Sequence, residues 1–151
     1  MKTLYLDMCC FNRPYDDQEQ TRIKLETAAK LELQEHIKAR DCRLLWSAVL
    51  DYECSRNPYA EHQLAIFKWR RLACQVIEAD QAIQQHANQL VYHGIRSYDA
   101  LHAASAMAGQ ADIFVTTDDR LLKNLRKHTT LTTLLPADAL ADLENWYENG
   151  S

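Results

Sequence analysis

Short apolar runs alternate with longer amphipathic stretches along the chain, and this alternation predicts strands and helices in turn. We expect strands at 3–6, 43–46, 113–116 and 131–134, with a weaker one at 75–78. Each predicted strand is followed by a stretch long enough to form a helix. Strands that alternate with helices are typical of an α/β domain with a mainly parallel sheet.

The stretches between the strands carry apolar residues at helical spacing. The clearest is 82–92, where Ile83, Ala87, Leu90 and Val91 share one helical face. We expect helices at 20–39, 59–74, 82–92, 97–110, 118–127 and 138–146, and a further one that begins at Ala48 after Ser47. In open α/β sheets the functional site lies at the carboxyl ends of the strands, so the residues just beyond each strand become the candidates.

Composition narrows the class of protein. The 151 residues are 47% hydrophobic with only 3 Gly and 3 Pro, which argues against a disordered or linker-rich chain and suits one domain over 1–151. No apolar run approaches the roughly 20 residues needed to cross a bilayer. Asp7 interrupts the first apolar stretch, where a secretion signal would need to continue, so we expect no such signal. Five cysteines without a Cys-x-x-Cys pair are typical of reduced thiols. We therefore expect a cytoplasmic protein that does not associate with membranes.

Four acids fall where the predicted strands end or helices start. Asp7 directly follows the first strand, and Asp118 follows the fourth with only Thr117 between. Glu53 lies about one and a half turns into the helix that begins at Ala48, and Asp99 lies in the first turn of an alanine-rich helix. Taken singly, each is also a common turn, capping or solvated helix residue. Together they offer one carboxylate each to the same edge of the sheet.

Such a group of acids needs a compensating charge. The net charge is already −4, from 17 Lys and Arg against 21 Asp and Glu. Carboxylates about 6 Å apart repel by about 3 kcal/mol per pair at an effective dielectric constant of about 20. Oxygen ligands favour hard cations, so Mg²⁺ or Mn²⁺ is expected. Such an ion can activate water and neutralise a phosphate, as hydrolysis of a phosphodiester requires.

The sequences around these acids resemble those of PIN-domain proteins of the VapC-like type. The resemblance spans roughly 3–135, and its pieces occur in the family's order. They are Leu4-Tyr5-Leu6-Asp7, then Ser47-Ala-Val-Leu-Asp-Tyr-Glu53, then Asp99-Ala-Leu-His-Ala-Ala104, and finally Phe114-Val-Thr-Thr-Asp118. Each piece is short, but four in this order form a specific pattern.

This resemblance implies a fold, an activity and a set of partners. The fold is a three-layer α/β/α sandwich with a mainly parallel central sheet. The activity is that of a metal-dependent endoribonuclease, with RNA as substrate and Mg²⁺ or Mn²⁺ as cofactor. Asp7, Glu53, Asp99 and Asp118 become both the catalytic residues and the metal ligands. The resemblance also implies that the protein is the toxin of a type II toxin–antitoxin pair, that its partner is an antitoxin protein, and that it forms a homodimer.

Neighbouring polar residues have two interpretations each. We assign Asn12, Arg13 and Thr116 to substrate binding, although Arg13 can equally pair with Asp16 or Asp17, and Thr116 can serve only as a cap. His102 lies three residues after Asp99, either as a packed, supporting histidine or as a proton donor.

The doublet Asp118-Asp119 leaves one acid ambiguous. The Thr-x-Asp pattern selects Asp118, with Asp119 as a helix-start acid or an auxiliary ligand.

One alternative function stays open and a second is excluded by sequence. A PIN-like domain that acts through protein partners, with weak or no nuclease activity, has the same pattern. A phosphatase of the haloacid dehalogenase type would need Asp-x-Asp after the first strand, whereas Asp7 is followed by Met8 and Cys9.

Overall fold

Five short parallel strands form the centre of the fold in a computed structural model that describes residues 1–146. The strands are β1 (Thr3–Leu6), β2 (Arg43–Ser47), β3 (Gln75–Ile77), β4 (Ile113–Val115) and β5 (Thr133–Leu134). Their order across the sheet is β3-β2-β1-β4-β5, and every neighbouring pair is parallel. In the centre of the sheet, Tyr5 pairs with Leu45 on one side and with Phe114 on the other.

Helices occupy the connections between the strands. Within residues 1–146 they are α1 (Met8–Asn12), α2 (Thr21–Lys38), α3 (Ala48–Ser55), α4 (Ala60–Phe67), α5 (Gln81–Tyr92), α6 (Ser97–Ala108), α7 (Asp119–His128) and α8 (Pro136–Leu143). Short 3₁₀ segments follow α1 at Arg13–Tyr15 and α4 at Lys68–Leu72. None of these helices is long and apolar enough to span a membrane.

The helices form two layers, one on each face of the sheet. From β1 to β2 the chain moves one way across the sheet, and from β3 to β4 it moves the other way. Because crossovers between parallel strands are right-handed, these two moves place α2 and the α5–α6 pair on opposite faces. Helix α8 packs against α2, and α5 packs against α6. The expected three-layer α/β/α sandwich is confirmed.

The central strands are buried on both faces, which explains their continuous apolar sequence. In β1 the side chains of Leu4, Tyr5 and Leu6 are fully buried. The small residues of α6 let it approach β2 closely: a Cβ added to Gly109, just after this helix, would lie 2.7 Å from Leu45 Cδ1. The alanine-rich sequence is therefore a requirement of packing between α6 and the sheet.

Local pattern predicted most elements but misjudged three of them. The helix expected over 59–74 is wrong in its second half, where the chain is 3₁₀ from Lys68 to Leu72. There Trp69 packs against the core and Arg70 donates to Asp51, which are tertiary contacts that local pattern does not encode. The helix expected from residue 138 begins instead at Pro136, a residue well suited to the first helical position. Helix α1 was not expected.

A crevice opens at the carboxyl ends of β1 and β4. These strands are neighbours, yet the chain leaves β1 toward β2 and leaves β4 toward β5, in opposite directions. Connections that diverge in this way leave a gap beyond the strand ends, where ligands bind in open α/β sheets. Asp7 and Asp118 follow these two strands.

Candidate functional site

Asp7 directly follows β1, at the carboxyl end of the strand, and is held in place from several directions. Its Oδ1 accepts a hydrogen bond from the Met8 amide at 2.8 Å, so that Asp7 caps α1. Its Oδ2 accepts from Thr116 Oγ1 at 3.0 Å and from the Cys9 thiol at 3.3 Å. Only 6% of the residue is exposed. A carboxylate buried in this way is kept in one orientation, with its charge directed at the strand ends.

Asp118 lies on the other side of the crevice, at the start of α7. Its Oδ1 accepts from the amides of Arg120 at 3.0 Å and Leu121 at 3.2 Å, which caps the helix. Its Oδ2 has no hydrogen-bond partner among residues 1–146. One oxygen is therefore structural, and the second is available to a ligand.

The adjacent acid, Asp119, is engaged elsewhere. Arg22 of α2 binds it through two hydrogen bonds, of 2.7 and 2.8 Å, and also donates to Thr117 O at 3.1 Å. This pairing holds the pKa of Asp119 below its usual value. Asp119 thus ties α2 to the loop after β4, and the geometry favours Asp118 as the acid of the crevice.

Asp99 in the first turn of α6 reports that the acids are close together. Its pKa is raised to about 6, first by burial and then by the charge of Asp7; His102 opposes the rise, and the charges of Asp118 and Glu53 add smaller contributions to it. The charges of the three other acids predicted from sequence therefore all act on Asp99.

Glu53 of α3 reaches the crevice through a buried histidine. His102 Nε2 is hydrogen-bonded to Glu53 Oε1 and lies 3.7 Å from Asp7 Oδ1. Burial acts to lower the pKa of His102, but the hydrogen bond to Glu53, followed by the charges of Asp7 and Glu53, outweighs it and raises the pKa. His102 is 1% exposed, which matches the supporting role considered from sequence.

The other face of this histidine rests on a tyrosine within the sheet. Tyr5 Oη lies 2.6 Å from His102 Nδ1 and 2.6 Å from Ser47 Oγ. Ser47 Oγ in turn accepts from the Leu50 amide and caps α3, the helix that carries Glu53. The role of Tyr5 was missed from sequence. The available signal was a tyrosine between two leucines of a predicted buried strand, since a buried hydroxyl must find a partner.

The donor set suits a hydrated hard cation. Within residues 1–146, no three His, Cys, Asp or Glu side chains are close enough together to enclose an ion. Mg²⁺ in proteins usually keeps several waters and is bound by only one or two carboxylates, so a closed cage is not required. The raised pKa of Asp99 and the unpartnered Asp118 Oδ2 are features that a cation would relieve.

Two of the three residues assigned to substrate binding, Arg13 and Thr116, have other partners here. Arg13 pairs with Asp16 at 3.0 Å and with Glu26 at 3.0 Å, which is the loop-shaping alternative considered from sequence. Thr116 is fully buried beneath Asp7, and Asn12 is half-buried at the end of α1. Thr116 therefore orients the acid, while Arg13 would have to leave two ion pairs to meet a phosphate.

Two other arginines are better placed for that role. A cleft between α6 and α7 is lined by Asp99 and Asp118 together with Arg96 and Arg120. Neither arginine has an ion-pair partner among residues 1–146. Arg96, which occupies the N-cap position of α6, was missed from sequence. Its position three residues before Asp99 was the available signal.

Comparison with protein families decides the identity of the fold. The profile of the PIN domain family matches residues 5–127, a range that includes all four acids. The chain belongs to the PIN domain family. The resemblance inferred from the four motifs is thereby confirmed. A search of curated proteins gives no significant match to this PIN domain.

Solved structures share the fold at low sequence identity. VapBC2 from Rickettsia felis, bound to a DNA fragment from its promoter, has a TM-score of 0.54 and 15% identity over 88% of this chain and 98% of that chain. FitAcB from Neisseria gonorrhoeae has a TM-score of 0.59 and 13% identity over 88% of this chain and 97% of that one. PAE2754 from Pyrobaculum aerophilum has a TM-score of 0.57 and 19% identity, with coverages of 95% and 90%. These similarities establish the fold of the PIN domain.

Proposed function

We propose that this PIN domain is an endoribonuclease that requires Mg²⁺ or Mn²⁺ and hydrolyses RNA phosphodiester bonds. The observation that supports the proposal is that Asp99 and Asp118 line one cleft, while His102 lies between Glu53 and Asp7. Membership of the PIN family supports the same activity.

Each acid has a distinct part in this proposal. Asp7 and Asp118 would hold the cation, because both are fixed at strand ends and Asp118 has an unpartnered oxygen. Asp99 would complete the site on binding: burial and then the charge of Asp7 raise its pKa, and the cation would offset that charge. Glu53 would act through water, since its carboxylate is already bound to His102. The cation supplies activation of water and neutralisation of phosphate charge.

The surrounding residues would position the RNA backbone. Arg96 and Arg120 line the cleft beside Asp99 and Asp118, where a guanidinium can bind a phosphate through two hydrogen bonds. We keep Asn12, Arg13 and Thr116 as candidates for substrate binding, with Thr116 acting through Asp7.

A direct test compares cleavage by matched variants. Single-stranded and structured RNAs are incubated with wild type, with Asp7→Asn, and with Glu32→Gln, which changes an exposed acid of α2. We expect cleavage by wild type and Glu32→Gln in Mg²⁺ or Mn²⁺, and no cleavage with a chelator or with Asp7→Asn. Equal cleavage by wild type and Asp7→Asn would overturn the proposal. If wild type is inactive with both metals, the alternative of a protein-interaction domain is favoured instead.

We also propose a cognate antitoxin as partner and a homodimer as the assembled form. Two structural neighbours, VapBC2 and FitAcB, are complexes of an antitoxin with a toxin, which supports the first proposal. Co-expression with the product of an adjacent short reading frame, followed by purification and light scattering, tests both. All five cysteines are free, which is consistent with action on RNA in the cytoplasm.

A further inference from the structure

Two exposed tyrosines stand directly beside the candidate acids. Tyr52 precedes Glu53 on α3, and Tyr98 precedes Asp99 on α6. Their ring centroids are 5.7 Å apart, and the ring planes are inclined by 28°, so the two rings stack on each other. Tyr52 is 44% exposed and Tyr98 is 49% exposed. Two helices from different parts of the chain thus present a joint aromatic surface to solvent at the edge of the crevice.

A positive charge adjoins this surface. The guanidinium carbon of Arg56, one turn after Tyr52 on the chain, lies 5.9 Å from the centre of the Tyr52 ring. Arg56 is exposed and has no ion-pair partner in the described part of the chain, residues 1–146. Exposed aromatic rings can stack on a nucleotide base, and an unpaired cation beside them can bind its phosphate.

We propose that Tyr52, Tyr98 and Arg56 form a stacking platform that holds an unpaired base of a single-stranded RNA next to the acidic crevice. The proposal rests on the proposed ribonuclease function and names the part of the substrate that is recognised. Stacking on tyrosine tolerates any base, because every base has a π-face. Bases inside a duplex are stacked on each other and cannot reach the platform, so unpaired RNA is preferred.

The location of the platform favours RNA as its ligand. The tyrosines are chain neighbours of two proposed cation ligands, and consecutive Cα atoms lie only about 3.8 Å apart. A base stacked there would lie against the same two helices, α3 and α6, that carry Glu53 and Asp99. A protein partner or a second copy of the chain could also cover two tyrosines, and the experiment below tests self-association directly.

Binding is measured without cleavage, by fluorescence anisotropy of a labelled short single-stranded RNA in the presence of a chelator. The double variant Tyr52→Ala/Tyr98→Ala is expected to bind about 5- to 150-fold more weakly than wild type. Tyr52→Phe/Tyr98→Phe keeps the rings and should bind within about twofold of wild type. Arg56→Gln should reduce the slope of log affinity against log salt by about 0.7 for one lost phosphate contact.

A matched control removes an exposed aromatic residue near the end of the sheet where β1 begins, away from the acids at the strand carboxyl ends. Trp146 is 54% exposed and follows α8, whose Asp142 pairs with Lys2 just before β1 begins. Trp146→Ala should leave RNA binding unchanged. An equal loss in Trp146→Ala and in the tyrosine double variant would overturn the platform, as would unchanged binding by the double variant. Circular dichroism melting confirms that each variant is folded.

Failure of the platform and failure of the nuclease proposal give different results. If wild type binds RNA through the tyrosines but never cleaves it, the platform stands and the nuclease proposal fails. If the alanine double variant binds and cleaves RNA as wild type does, the platform fails and the nuclease stands. Sedimentation velocity tests self-association. If wild type is a dimer, the alanine double variant is a monomer and RNA binding is the same in both, the tyrosines form an interface between copies. That result overturns the platform.

Discussion

The hydroxyl group of Tyr5 offers a quantitative test of the buried network behind the crevice. The perturbation is Tyr5→Phe, which removes one oxygen and leaves the ring. The ring is fully buried and stacks on Phe114, with centroids 5.3 Å apart and planes inclined by 8°. Packing and stacking are therefore retained, and the change isolates the two hydrogen bonds of 2.6 Å to Ser47 and His102.

The two partners of Tyr5 are affected unequally. Ser47 Oγ keeps the hydrogen bond from the Leu50 amide at 3.2 Å. His102 Nδ1 loses the hydroxyl and has no other partner among residues 1–146, in a residue that is 1% exposed. Leaving one buried polar atom unsatisfied costs about 1–3 kcal/mol, so we expect the free energy of unfolding to fall by that amount. The corresponding fall in Tm is about 2–4 °C per kcal/mol.

Urea unfolding at neutral pH in the presence of a chelator measures this change. The midpoint should shift with an unchanged slope, because the surface exposed on unfolding stays the same. Tyr98→Phe removes a hydroxyl from an exposed ring and serves as the control, with an expected change below about 0.5 kcal/mol. In a His102→Leu background the ring nitrogen is absent, so Tyr5→Phe should cost less there than in wild type.

Two results would refute this reasoning. A loss below about 0.5 kcal/mol for Tyr5→Phe would mean that the hydroxyl makes no net contribution in the buried network. The same loss in the wild-type and His102→Leu backgrounds would mean that the hydroxyl stabilises the fold without acting on His102.

Three further predictions concern packing and charge. Gly109→Ala should lower the free energy of unfolding by about 1–3 kcal/mol, because the added Cβ would lie 2.7 Å from Leu45 Cδ1; urea unfolding measures it. The pKa of His36 is raised above 6.5, chiefly by its hydrogen bond to Glu144. Protonated His36 therefore stabilises the fold fully below pH 6.5, and this stabilisation is lost as the pH rises through the folded-state pKa. His36→Gln should show a flatter profile of unfolding free energy against pH. The pKa of Asp99 is raised from 3.8 to about 6, so the Asp99 carboxyl binds its proton more tightly in the metal-free fold than in the unfolded chain. The free energy of unfolding should therefore fall as the pH rises from about 3.8 to about 6. Asp99→Asn should remove this loss, and Mg²⁺ should raise the Tm of wild type more than that of the variant; parallel pH profiles would contradict the assignment.

Several features of this PIN domain could be predicted because they depend on local sequence. The apolar runs located the strands, since a strand covered on both faces needs consecutive apolar residues. Asp7 and Asp118 were found by their positions after two such strands. The helical periodicity of 82–92 was equally local, and helix α5 occupies Gln81–Tyr92.

Other features depended on contacts between distant segments. The helix expected over 59–74 failed after Phe67, where packing of Trp69 and the bond from Arg70 to Asp51 replace regular helix. Arg13 could not be assigned from sequence, because either a loop acid or a phosphate satisfies a guanidinium equally well. The structure supplies its partners, Asp16 and Glu26.

The sequence by itself determined the α/β pattern and the strand ends, and it predicted the four acids as the candidate site. Only the tertiary structure decided how these acids are supported. The bond from Tyr5 to His102 and the bond from Arg22 to Asp119 each join residues 97 positions apart. Periodicity and capping signals extend over one helical turn or a few strand residues, so they carry no information about such pairs. The order of the strands and the handedness of the crossovers bring these residues together, and buried polar groups must then find partners wherever the fold places them.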